Sequence, residues 1–156
     1  MSVEAGFNSD FLDLLEAFAE AHVEFLVVGA HALAVHGIPR ATGDLDVWVR
    51  PSAENAGRVM AALRVFGAPI AQHGVTVTDF ARAGTVYQLG LPPRRIDVLT
   101  QISGVEFDEA WASRVNVSLR GHTIGFLGRD ALLKNKRAAA RPKDLVDAES
   151  LERQGR

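Results

Sequence analysis

FLVVGAHALAVHGIPRATGDLDVWV, residues 25–49, holds two strand signals separated by a short helix and a loop. Phe25-Leu26-Val27-Val28 is an apolar run stopped by Gly29, the pattern of a buried strand. Ala30 to His36 is alanine-rich and closed by Gly37, which predicts a short helix with glycine just past its end. Residues 38–43 read as loop. Leu45, Val47 and Val49 then alternate with Asp44, Asp46 and Trp48, so a second strand turns one apolar face to a core.

The neighbouring segments extend this pattern. Upstream, Asn8 or Ser9 can cap a helix whose Phe11, Leu14, Leu15 and Phe18 recur at helical spacing. Downstream, Ser52 caps a helix over 53–66 that Gly67 ends. Val75–Thr78 and Thr85–Leu89 are strand-like in composition, and Pro92-Pro93 breaks the chain before a strand over 95–99. A short helix is expected at 107–112, then a hairpin or two short strands, 115–119 and 123–127, joined around Arg120-Gly121. Two helices follow, 129–140 and 144–151, separated by Arg141-Pro142. Strands interleaved with helices predict an α/β (α+β) fold, a mixed β-sheet flanked by helices. The 156 residues suit one domain, 1–156, with its core in 25–100 and a C-terminal helical segment at 129–152.

Composition narrows the function classes. Apolar residues make up 47% and charged residues 23%, which is globular usage and argues against disorder. With no cysteine there is no disulfide framework, thiolate metal site or catalytic thiol. The net charge of −2 lacks the basic excess of a general polyanion binder. The acidic start, MSVEAGFNSDFLDLLEAF, has no basic region of a signal peptide, and no apolar run approaches the roughly 20 residues that span a bilayer. A cytoplasmic protein with no membrane partner is expected. The charge is unevenly spread, however. Residues 1–24 carry six acids and no Lys or Arg, whereas 129–143 carry Arg129, Lys134, Lys136, Arg137, Arg141 and Lys143 against Asp130. Two solvated helix faces explain this, and so does a segment that holds phosphate or RNA.

The residues that point to chemistry are aspartates. Asp44 and Asp46 lie two apart on a strand and leave it on one face, where their charges repel unless a proton or cation compensates them. Paired carboxylates suit Mg²⁺, which takes one or two of them together with substrate phosphates and waters. Gly29 lets the backbone approach a ligand at the mouth of a helix, whose free N–H groups favour an anion such as a triphosphate. Arg40 and Thr42, in the intervening loop, could add phosphate contacts. Asp97 sits between Ile96 and Val98 in a later strand; if that strand neighbours Asp44, three carboxylates converge in a two-metal phosphoryl-transfer site. Taken singly, each feature also has a structural explanation, such as an edge strand guarded by charge.

In order and spacing, Gly29-Ala30, thirteen residues, Asp44-Leu45-Asp46-Val47 and then Ile96-Asp97-Val98 resemble the nucleotidyltransferase superfamily that includes DNA polymerase beta. More narrowly, VVGAHALAVHGIPRATGDLDVWV, RIDVLT and NKRAAARPKDLVD look like small bacterial minimal nucleotidyltransferase proteins, which are related to AbiEii-like abortive-infection toxins. The resemblance implies a nucleotidyltransferase-like fold that binds an NTP such as ATP at the turn of Gly29 and Ala30; His31, just past that turn, either touches the nucleotide or has a structural role, the second being favoured. Asp44, Asp46 and Asp97 would be the catalytic and metal residues, holding two Mg²⁺, with Asp97 as candidate base toward a hydroxyl acceptor. Lys134 or Lys136 would reach the triphosphate. Transfer of a nucleoside monophosphate to a small molecule, protein or RNA end is the implied activity. The alternative is a non-catalytic nucleotide- or partner-binding member, such as a toxin–antitoxin component, and a homodimer fits either. Ala30 departs from the usual second Gly or Ser, and the separate helical domain that many relatives use for the acceptor is lacking, which leaves the acceptor open.

Smaller signals are weighed on the same terms. His31 and His36 are five apart, so they make no i,i+4 metal pair. Trp48 shares the face of Asp44 and Asp46 and either borders the site or packs under a helix, the second being favoured. Asp144 and Asp147 are explained as helix-start charges.

Overall fold

The computed structural model describes residues 3–154. A 3-10 turn at Val3–Gly6 leads into α1 (Ser9–Glu20), and Asn8 caps that helix by accepting from the Phe11 N–H. The chain continues through β1 (Phe25–Val28), α2 (Gly29–Val35), β2 (Asp44–Val49) and α3 (Ala53–Phe66). Then come α4 (Val77–Ala81), β3 (Val86–Leu89), β4 (Arg95–Leu99), α5 (Phe107–Ala112), β5 (Val115–Leu119), β6 (His122–Phe126), α6 (Arg129–Ala139) and α7 (Pro142–Gln154).

The strands form one mixed sheet in the order β3-β4-β2-β1-β6-β5. β2 is parallel to β4 and antiparallel to β1, and β1 is parallel to β6. Alternation along the strands divides the apolar residues between two faces. On one, Leu45, Val47, Ile96, Val98 and Phe126 pack with α1 and α3 into the larger core. On the other, Leu26, Val28 and Trp48 pack with Leu33, Phe107, Leu132 and Leu151 from α2, α5, α6 and α7. The expected mixed sheet flanked by helices is therefore the observed one. Among the described residues no helix is long and apolar enough to cross a membrane.

One expected strand is a helix. Val75–Thr78 reads as β-branched, yet α4 begins at Val77, because Thr76 and Asp79 form a capping box that satisfies free N–H groups at its start. Two reciprocal side-chain bonds outweigh a β-propensity that matters only when a neighbouring strand is there to pair. The last helix also begins earlier than 144, at Pro142. Proline suits the first helical position, where its missing N–H has no partner to lose.

Candidate active site

The parallel ladder of β2 and β4 aligns Asp44 with Arg95 and Asp46 with Asp97. Asp46 and Asp97 thus stand side by side on the second sheet face, with Asp44 one pleat away. Arg95, two residues before Asp97 on the same face, reaches over both ends of this group. Its Nε and Nη2 donate to the two Asp97 carboxylate oxygens at 3.2 and 3.0 Å, and its Nε lies 3.4 Å from Asp44 Oδ1. Burial and then the neighbouring charges of Asp97 and Asp44 push Asp46 up to about 6, against the opposing pull of Arg95.

Gly29 makes this approach possible. It adopts φ +69° where β1 turns into α2, and a Cβ there would stand 2.5 Å from Asp46 Oδ2. The approach expected at this glycine was that of a ligand; in the structure it is a carboxylate of β2 that stands against it. Thr42 secures the other aspartate locally: its hydroxyl donates to the Asp44 carbonyl and accepts from the Asp44 N–H.

Asp44 and Asp46 open onto a cleft of 250 Å³ that also touches Gly29, Ala30, Arg40 and Thr42. From the C-terminal helices come Lys136, Arg141 and Lys143, so carboxylates and cations line one cavity. Lys136 and Arg141 are held by two aspartates that the sequence presented only as helix-start charges. Asp144 is fully buried and accepts from Arg141 Nε at 2.6 Å and from Lys136 Nζ at 3.3 Å. Asp147, 3% exposed, lies 3.2 Å from Lys136 Nζ and also pairs with Arg40. Burial alone would raise Asp144, but its bonds from Arg141 and Lys136 outweigh that and hold its carboxyl below the usual range. Burial also lowers the Lys136 ammonium, against the pull of Asp144.

Two expected site residues do not line the cleft. His31 is buried in the core, stacked on Phe7 at 4.5 Å and edge-on to Phe11, because the first turn of α2 points it back toward α1. Lys134 leaves α6 two residues before Lys136, which is more than half a turn round the helix, and its Nζ meets Glu109 at 2.9 Å. Trp48 packs edge-on to Phe107 at 5.0 Å, the favoured of its two readings. Arg95 was not foreseen as a site residue, although its i,i+2 spacing to Asp97 on a strand was the available signal. A separate group lies on α1 and β6, where Glu16, Glu20 and His122 bring three potential metal-ligand atoms within 4.8 Å of one another.

Asp46 makes the unliganded protein sensitive to pH. Its folded value near 6 lies above the ordinary 3.8, so the folded state keeps a proton that the unfolded chain gives up in between. The resulting stabilisation is complete below about 3.8 and is lost as the pH rises through 6, on the order of 2–3 kcal/mol. Metal-free Asp46→Asn is expected to show a flatter urea-midpoint profile from pH 4 to 7 and to exceed the wild type at pH 7.5. Parallel profiles for the two proteins would contradict this.

No family model matches the chain, and no curated protein matches it. Among solved structures, a crystal structure from Thermotoga maritima, described as that of a candidate nucleotidyltransferase, superposes with a TM-score of 0.54. It shares 16% identity, and the match covers 95% of this chain and 94% of that one. The fold is nucleotidyltransferase-like.

Proposed function

We propose that this chain is a Mg²⁺-dependent nucleotidyltransferase that binds an NTP and transfers its nucleoside monophosphate to a hydroxyl acceptor. The observation that carries the reading is the register Asp46↔Asp97 beside a cleft that Arg40, Lys136, Arg141 and Lys143 also line. A divalent cation fits the aspartates. Burial and then its acidic neighbours raise Asp46, and Arg95, from the next ladder position, pairs with Asp44 and Asp97. Asp44, Asp46 and Asp97 would hold Mg²⁺, which neutralises polyphosphate charge and makes a hydroxyl more acidic.

The chain's own groups then divide the work. Arg141 and Lys143 would bind the polyphosphate, and Asp144 orients Arg141 through a bond from Nε at 2.6 Å. Asp97 would take the proton of the acceptor hydroxyl as its oxygen bonds to the α-phosphorus. The bond from that phosphorus to the β-phosphate bridge breaks, and pyrophosphate leaves. Arg95 must first release Asp97, both of whose oxygens it now occupies.

That clamp also favours a second reading, a non-catalytic member that binds nucleotide or a partner protein, such as one component of a toxin–antitoxin pair. RNA binding through 129–143 has less support. Lys134, Lys136 and Arg137 are paired with acids of the chain itself, and Arg141 faces the cleft.

The test is isothermal titration of ATP, GTP, CTP and UTP with Mg²⁺ into wild type and Asp44→Ala/Asp46→Ala. Metal-dependent binding that disappears in the double variant is expected, and no binding of any NTP would overturn the reading. Turnover abolished in Asp97→Ala with nucleotide binding retained would distinguish the enzyme from the binding module.

A further inference from the structure

We infer that Arg95 stands in for the divalent cation in the free protein: guanidinium and metal compete for one set of carboxylate oxygens, and the metal enters as Arg95 swings out. This rests on the metal site proposed above and adds what controls its filling. Pleating puts Arg95 on the same face of β4 as Asp97, and the ladder sets it opposite Asp44. Its fork covers both Asp97 oxygens, at 3.2 and 3.0 Å, and its Nε lies 3.4 Å from Asp44 Oδ1. One guanidinium thus bridges carboxylates of two strands, the place a metal ion shared by them would take. Mg²⁺ bonds oxygen at about 2.0–2.1 Å and would meet the N–H groups already there. Two cations also repel at this range, the more so because Asp97 is buried and little water screens them.

The surroundings of Arg95 suit an exchange. Among the described residues every side-chain bond of Arg95 goes to these aspartates, so it ties down no other part of the fold. β4 pairs with β2 on one side and β3 on the other, which holds the backbone while the side chain turns. That side chain is one-third exposed, so solvent is open to it. Asp46 makes no ion pair among the described residues and lines the cleft with Asp44, where an arriving cation meets it before Asp97. Arg94, the neighbour in sequence, pairs instead with Asp10 of α1 at 2.9 Å, away from the aspartate face. Until the exchange both Asp97 oxygens are engaged, and one side chain keeps the site closed.

The experiment titrates Mn²⁺ alone, with no nucleotide, into wild type, Arg95→Met and Arg94→Met, read by calorimetry and by the spin-resonance signal of free Mn²⁺. A site open in only a fraction of molecules binds with its affinity reduced by that fraction, so Arg95→Met is expected to bind at least about fivefold more tightly than wild type. Arg94→Met removes the same net charge from outside the site and should leave Mn²⁺ affinity within about twofold. In the wild type the Arg95 Nε–H resonance should shift as Mg²⁺ fills the site, a reading that needs no variant to fold. A smaller gain in Arg95→Met, an equal gain in Arg94→Met, or an Arg95 resonance unmoved at saturating Mg²⁺ would overturn the inference. Asp44→Ala/Asp46→Ala keeps that result apart from failure of the metal reading. Mn²⁺ binding lost there but untouched by Arg95→Met leaves the metal reading standing, whereas no binding to any of these proteins, Arg95→Met included, ends both.

Discussion

Lys136→Met is expected to destabilise the protein by about 3–5 kcal/mol, the cost of removing one partner from a buried ion group. Lys136 is 8% exposed, and its ammonium lies 3.3 Å from Asp144 and 3.2 Å from Asp147, both more deeply buried than itself. Methionine fills much of the same volume, so the loss reads the charge rather than a cavity. Arg141 would still pair with Asp144 and Arg40 with Asp147, which places the effect toward the lower end of that range. Lys134→Met is the control. It breaks an ion pair of similar length to Glu109, but its side chain is 55% exposed, and such pairs contribute about 0–1 kcal/mol. Urea unfolding of both variants at pH 7.5 makes the comparison, and equal losses would contradict a stabilising role for the buried charge group of Lys136, Asp144 and Asp147.

Gly29→Ala is expected to affect the site more than its size suggests. At φ +69° a side chain costs about 1–2 kcal/mol of backbone strain. The new methyl would also stand 2.5 Å from Asp46 Oδ2, so the carboxylate must leave its place beside Asp97. Metal-dependent NTP binding should weaken at least tenfold. Gly67→Ala separates the two effects: its φ of +93° imposes a similar strain at the end of α3, but nothing lies within 4 Å of its Cβ. It should cost comparable stability and leave binding intact. Unaltered binding in Gly29→Ala would show that Asp46 can shift freely, contrary to the packing described.

The elements around residues 25–49 were legible because each signal is local. An apolar run stopped by glycine, alternation from Asp44 to Val49, and serine before a helix each act within a few residues. The same locality misled at Val75–Thr78, where composition suggested a strand and the Thr76–Asp79 box made a helix. His31 and Lys134 were misplaced for a related reason. Proximity in sequence to Gly29 or Lys136 says nothing about rotation round a helix, and rotation sent each side chain elsewhere.

By itself the sequence determined which face of β2 carries Asp44 and Asp46, and that Asp97 shares a face with its own flanking Arg95. Strand pleating imposes those relations on any chain with this alternation. Only the tertiary structure decided that β4 lies beside β2 in the register that sets Asp97 against Asp46 and Arg95 against Asp44. It alone brought Asp144 and Asp147 under Lys136, Arg141 and Arg40. Both outcomes depend on pairing segments far apart in the chain. The free energy of such pairing comes from burying whole faces together, and a local window of residues does not contain it.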